Sequence, residues 1–172
     1  VYIPDRHKEG YGLTLGALEE FKSKGANLII TIDCGVRDCN EIKKANEYGI
    51  DTVVLDHHLP PADLPKACAI VDPKLEGDKS FKDLCGAAVV FQAVRALVAK
   101  SFPAVSGEWS KWLLDAVAVA TIADMVPLKS ENRALVFYGL EVLKKTRRIG
   151  LLLLLEKLKI NKLEITEDDL AY

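Results

Sequence analysis

The sequence predicts an α/β fold: a three-layer, mostly parallel sheet flanked by helices, with a helical C-terminal half. Three observations predict it. The short apolar runs Leu28–Ile32, Thr52–Leu55 and Ala69–Val71 have no polar alternation, the pattern of parallel strands covered on both faces. Segments of helical apolar spacing separate the first two runs and precede them, with links too short for anything but a β-α-β unit. From Cys85 onward strand patterns cease and long helical segments follow one another.

The elements follow in chain order. After Tyr2–Gly12, Thr14 is placed to cap a helix running to about Lys24, with Leu15, Leu18 and Phe21 on one face and Gly25 ending it. The strand at 28–32 comes next. Asp38 or Asn40 starts a helix carrying Ile42, Ala45 and Tyr48, closed by Gly49, and the strand at 52–55 follows. Pro60, Pro61 and Pro65 mark a loop, then a short strand covers 69–71 and a polar loop runs from Lys74 to Lys82. Helices are predicted near 86–100, 108–123, 131–145 and 149–158, with a hinge at Arg147-Arg148-Ile149-Gly150. Thr166 with Glu167, Asp168 and Asp169 reads as the capped first turn of a further helix. The chain opens without Met and stops inside that turn, so it reads as an excerpt of a longer protein.

Composition bounds the function. With 49% apolar residues and charges of both signs mixed, the 172-residue chain has a globular rather than a disordered composition. The net charge of -2 gives no global basic signature, so nucleic acid has to be met by a local patch or by segments outside this chain. Cys34, Cys39, Cys68 and Cys85 form no CxxC pair, which points to free thiols in a reducing compartment. No apolar stretch reaches the ~20 residues that span a bilayer. A soluble cytoplasmic protein with no membrane contact is expected.

The residues with chemistry cluster at strand ends. Asp56-His57-His58 follows the run ending at Leu55, Asp33-Cys34-Gly35 follows Ile32, and Asp72 follows Val71. Three apolar runs that end in aspartate suggest one crevice with oxygen ligands. Taken singly, Asp33 is also an ordinary turn former or helix cap. Adjacent histidines on extended backbone point to opposite sides, so both serve one site only where the chain turns. The natural division has one imidazole on metal and the other on substrate, with Asp56 orienting an imidazole from behind. Asp124 ends the segment Ala116–Ala123, apolar on nearly every side and therefore expected to be deeply buried. A buried anion at a helix C-terminus calls for a cation; the alternative is a solvent-facing residue before Pro127.

Carboxylate plus imidazole without a thiolate cluster suits manganese or magnesium. Paired ions of that kind, ~3.5–4 Å apart, activate water and clamp a phosphoryl group during in-line displacement. Phosphoester hydrolysis is the reaction class that follows. Arg6, His7 and Lys8 are either phosphate contacts or a solvated loop, and the small residues Cys85-Gly86-Ala87-Ala88 at a helix start either receive a phosphate or allow close packing. Lys144, Lys145, Arg147 and Arg148 form either a solvated helix end or a nucleic-acid contact.

Four segments in order resemble the DHH phosphoesterase superfamily, most closely its RecJ-type single-stranded-DNA-specific exonucleases. These are Tyr2–Arg6 with Glu9–Leu13, Thr31-Ile32-Asp33-Cys34-Gly35, Asp56-His57-His58, and Thr121–Leu128 with Glu131-Asn132-Arg133. The resemblance implies a two-metal site using Mn2+ or Mg2+, in which Asp33 bridges both ions and His57 and Asp124 bind one. It implies that His58 contacts the scissile phosphate, that Asp56 supports the histidines, and that single-stranded DNA is digested from the 5′ end in repair and recombination, with repair or replication proteins as partners. It leaves oligomeric state open. It also places the family's first motif before Val1 and a C-terminal nucleic-acid-binding domain after Tyr172. Residues 1–145 then form a partial catalytic domain, 146–172 a helical connector, and the excerpt alone is expected to hold at best one metal weakly and to lack nuclease activity. Two other readings are a superfamily phosphoesterase acting on short oligonucleotides or small phosphorylated molecules, and a non-catalytic superfamily member.

Overall fold

A computed structural model describes residues 1–75, 77, 81–102, 104, 105 and 107–171. The expected polar loop from Lys74 to Lys82 lies partly outside these residues. The chain divides into two compact units, Val1–Lys82 and Asp83–Tyr172.

The first unit is the expected β-α-β arrangement. Helix α1 (Leu15–Ser23) starts at Thr14, whose hydroxyl accepts the Ala17 N–H at 3.2 Å. Strand β1 (Leu28–Ile32), helix α2 (Cys39–Glu47), strand β2 (Asp51–Leu55) and strand β3 (Ala69–Val71) follow. The strands form one parallel sheet in the order β1-β2-β3, with Thr31 beside Val54 and Leu55 beside Val71. One face packs under the helices: Leu18, Ile29, Ala45 and Ile50 form one cluster, and Val36, Ile42 and Val54 another. Each such fully buried aliphatic side chain contributes about 1.5–3 kcal/mol. The other face departs from the expectation of two-sided cover. Leu28, Ile30 and Ile32 of edge strand β1 are each about half exposed, as is Val71. An unbroken apolar run reports a strand's composition, and the opposite face of β1 is open all the same.

Asp38 also departs from its expected role. It precedes α2, yet its side chain makes no cap hydrogen bond. Its carboxylate instead accepts the Leu13 N–H at 2.7 Å, beneath Gly12 at φ 94°. A Cβ on Gly12 would lie 2.8 Å from both carboxylate oxygens, so only glycine lets the chain pass there. Burial raises the Asp38 carboxyl above the usual range, with the Leu13 bond opposing that shift.

The second unit is helical. Helix α3 (Gly86–Ser101) is followed by a 3-10 segment (Gly107–Leu113), α4 (Leu114–Ala123), α5 (Ser130–Leu143), α6 (Ile149–Lys157) and the short α7 (Glu167–Ala171). The single helix expected over 108–123 is therefore two, a tight turn that eclipses i and i+3 and then a true α-helix. That turn carries Trp109 and Trp112, both half exposed. The core joins Ile122, Val136, Leu140 and Leu143 to Leu155 and Ile165. Helices α4 and α5 approach closely at Gly139, where a Cβ would lie 2.5 Å from both the Ala118 Cβ and the Leu114 carbonyl oxygen. Among the described residues all four cysteines are free, and no helix is long and apolar enough to cross a membrane.

Candidate metal centre

Parallel ladders deliver the first unit's chemistry to one place. The β1–β2 ladder continues one step past its end, the Asp33 N–H reaching the Leu55 carbonyl at 2.9 Å. The β2–β3 ladder does the same, the Asp56 N–H reaching Val71 at 3.0 Å. Both aspartates are thus placed by sheet hydrogen bonds at neighbouring strand ends. Beyond β2 the chain turns, so that the His57 and His58 rings lie on the same side, 4.6 Å apart and edge to face.

Ligand atoms of Asp33, His57 and His58 all lie within 4.8 Å of one another. His57 Nε2 is 3.2 Å from Asp33 Oδ1; the imidazole is nearly buried and the carboxylate half exposed. Asp33 has φ 61°, a left-handed conformation that aspartate tolerates better than most residues. Gly35 is left-handed too, at φ 109°, and sits so close to the sheet that a Cβ would meet the Thr31 hydroxyl at 2.3 Å. The carboxylate, two imidazoles and their spacing fit a hard-to-borderline divalent ion. Cys34 is not among the converging ligand atoms; burial first, and the charges of Asp38 and Asp56 after it, push its thiol up to about 11.

Asp56 is the anchor. It is 1% exposed. Its Oδ2 accepts the Val36 N–H at 3.0 Å, and its Oδ1 accepts the N–H of His57 at 2.7 Å and of His58 at 3.3 Å. The same Oδ1 lies 2.7 Å from His58 Nδ1. Since a carboxylate only accepts, Nδ1 carries the proton and Nε2 faces outward. Burial alone would raise this carboxyl; the bonds from Val36, His58 and His57 outweigh it and hold it below the usual range. Asp56 thus ties three things together: the loop after β1, the loop after β2 and the ring of His58.

The structure brings Asp33, Asp56, His57 and His58 together. Asp72, the third strand-end aspartate, is 2% exposed, and among the described residues its Oδ2 has no hydrogen-bond partner. Burial raises its carboxyl. Arg6 is exposed, in a turn where Glu9 carboxylate oxygens accept the Asp5 N–H and the Tyr2 hydroxyl. Gly86 and Asp124 belong to the second unit, Gly86 buried at the start of α3 and Asp124 exposed at the C-terminal end of α4. That exposure corrects the buried-anion argument for Asp124. Although α4 is apolar nearly all round, Ala123 and Asp124 in its last turn reach the surface.

Tyr11 had no role in the sequence reading. Its hydroxyl donates to the Asp33 carbonyl and lies 3.5 Å from His58 Nε2, with the two rings edge to face. The one signal was its place in the Glu9–Leu13 segment quoted above, since nothing local ties residue 11 to residues 33 and 58.

With this geometry in view, comparison with known proteins is informative. The model of the "DHH family, N-terminal domain" matches residues 1–121. The chain is 46% identical over 151 residues to the "Single-stranded-DNA-specific exonuclease RecJ" of Bacillus subtilis, covering 87% of this chain and 18% of that protein. It is 39% identical over 178 residues to the protein of the same name from Haemophilus influenzae, covering 99% and 31%. It also superimposes on the crystal structure of "exonuclease RecJ bound to manganese" with a TM-score of 0.85 at 32% identity, covering 99% of this chain and 42% of that one. The chain therefore spans under a third of the length of these curated relatives.

Proposed function

This chain belongs to the DHH family, and from that premise we propose that it is the core of a RecJ-like exonuclease hydrolysing phosphodiester bonds of single-stranded DNA from the 5′ end by two-metal catalysis. The observation that carries the reading is the convergence of Asp33, His57 and His58 on one point. The resemblance to a manganese-bound exonuclease supports it.

In this reading Asp33, His57 and Asp124 hold Mn2+ or Mg2+. Bound there, such ions supply Lewis-acid activation of water and neutralise charge on the phosphoryl group. The chain's own residues do the positioning. Asp56 takes the Nδ1 proton of His58 as a hydrogen bond and turns Nε2 toward the scissile phosphate. Arg6 and the Gly86 backbone N–H contact neighbouring phosphates. With His58 assigned to the phosphate, Asp33 and His57, 3.2 Å apart at Oδ1 and Nε2, offer a partial donor set for one ion. The 172 residues by themselves thus hold one metal weakly and do not sustain hydrolysis. Residues 1–145 act as part of the catalytic domain and 146–172 as a connector. The full protein works in DNA repair and recombination in the cytoplasm, beside repair or replication proteins.

Manganese titration of the chain and of His57→Ala, followed by electron paramagnetic resonance of free Mn2+, tests the site. The variant is expected to lose at least tenfold in affinity. Equal affinity in both proteins would remove His57 from the ligand set. Degradation of single-stranded DNA by this chain with manganese, abolished by Asp33→Ala, would refute its inactivity alone.

A further inference from the structure

In the second unit a cavity of about 570 Å³ is lined by Trp112, Asp115, Lys145, Thr146, Arg147 and Arg148. Its floor is rigid. Asp115 is 2% exposed. It accepts the Thr146 hydroxyl at 2.7 Å and the Arg148 Nε at 3.0 and 3.1 Å. The Arg148 Nη2 reaches the Trp112 carbonyl at 3.4 Å. That guanidinium is therefore fixed in orientation while half its side chain stays exposed. A cation held this way loses little freedom when an anion arrives.

The rim supplies the rest. Lys145 and Arg147 are exposed, and among the described residues neither forms an ion pair. Lys162 approaches the Thr146 carbonyl at 3.4 Å, adding a further cation. Lys144 is engaged by Glu141 at 2.6 Å. Positive charge exceeds negative charge here although the whole chain is net -2. Trp112 is 55% exposed, unusual for so large an apolar ring. Among the described residues no cation or second ring sits on its indole.

We propose that this pocket binds a nucleotide unit of single-stranded DNA, its base on the Trp112 indole and its flanking phosphates on Lys145, Arg147 and Arg148. A flat exposed ring beside one oriented guanidinium and two exposed cations matches a strand that offers bases and phosphates in alternation, and stacking of this kind is sequence-tolerant. An acidic peptide would meet the cations and leave the indole unused. The inference rests on the reading that single-stranded DNA is the substrate, and it uses no residue of the metal centre.

The test is made in EDTA, so that the metal centre is silent. The chain has two tryptophans, so Trp109→Phe leaves Trp112 as the sole indole reporter. Titration with a short oligothymidylate is expected to quench its fluorescence to saturation, with a log–log salt slope of about -2 for three phosphates on a single strand. Lys145→Ala/Arg147→Ala, both exposed positions, is expected to weaken binding about tenfold (~1.4 kcal/mol) and to flatten the slope to about -0.7. Trp112→Ala is expected to lose about tenfold, and Trp112→Phe to retain most of the affinity. No binding, binding without Trp112 quenching, or an unchanged double variant would each overturn the proposal. So would equal quenching by anionic lipid vesicles or polyglutamate. His57→Ala separates the two readings: it should lose manganese and keep the EDTA isotherm. Failure at manganese alone sinks the metal assignment; failure of the isotherm alone sinks this pocket.

Discussion

Replacing Asp56 with asparagine perturbs one buried side chain and four hydrogen bonds. The carboxylate accepts from three backbone N–H groups and from His58 Nδ1, at 2.7 to 3.3 Å. Asparagine keeps one acceptor oxygen and turns an NH2 toward whichever donors lie on the other side. If Oδ1 keeps its three contacts, the amide faces the Val36 N–H, donor against donor in a site closed to water. An unsatisfied buried donor costs about 1–3 kcal/mol, and losing charge from the remaining bonds adds about 1 kcal/mol. The expected loss is ~3 kcal/mol, a fall of about 1.5 M in the urea midpoint for a slope of about 2 kcal/mol/M. Equilibrium urea unfolding followed by far-UV circular dichroism measures it. pH supplies the control. The Asp56 carboxyl is held low in the fold, so its stabilisation is fully present above the unfolded carboxylate value of about 3.9 and is lost as pH falls through the lower folded value. The gap between the parent chain and Asp56→Asn should be constant at neutral pH and close in acid. A gap under about 0.5 kcal/mol at pH 7, or one that widens in acid, would refute this account of Asp56.

Three further outcomes follow from the same geometry. Gly35→Ala meets the Thr31 hydroxyl at 2.3 Å from a left-handed backbone, so thermal unfolding should show a loss of about 2–4 kcal/mol; an unchanged melting temperature would mean that the turn relaxes freely. Asp115→Ala leaves the buried Thr146 hydroxyl without its acceptor and returns the half-exposed Arg148 to water, and should cost about 1–3 kcal/mol in urea unfolding. Tyr11→Phe removes the bond to the Asp33 carbonyl with little effect on folding, about 1 kcal/mol. Its signature should be broader His58 ring signals in NMR, and ring signals as sharp as the parent's would count against Tyr11 as a support.

The β-α-β unit was legible because its information is local. Each apolar run, each 3.6-residue stripe and the Thr14 cap act within a few residues. The gathering of Asp33 with Asp56-His57-His58 was legible for a related reason: parallel strands in register bring their ends to one edge. Other features depended on distant partners. Tyr11 finds its two contacts 22 and 47 residues away. Asp38 looked like a helix cap and instead tethers Leu13. The break between the 3-10 turn and α4 falls where no proline or glycine marks it, between Gly107 and Ala123. The exposure of Asp124 was misjudged because an all-round apolar composition describes α4 on average, whereas its last turn follows its own surroundings. The half-open sheet face was illegible for the same reason, since composition does not say which neighbours are at hand.

Asp33 sits at φ 61°, where a side chain is a liability and glycine would be at ease. Glycine there should make the fold sturdier by up to about 1 kcal/mol while removing the carboxylate that faces His57. Robustness alone would favour glycine at this position, and the metal site proposed above supplies a reason for the aspartate. The position offers a simple check on that proposal: in copies of the chain that have no use for the carboxylate, drift toward glycine or asparagine runs downhill.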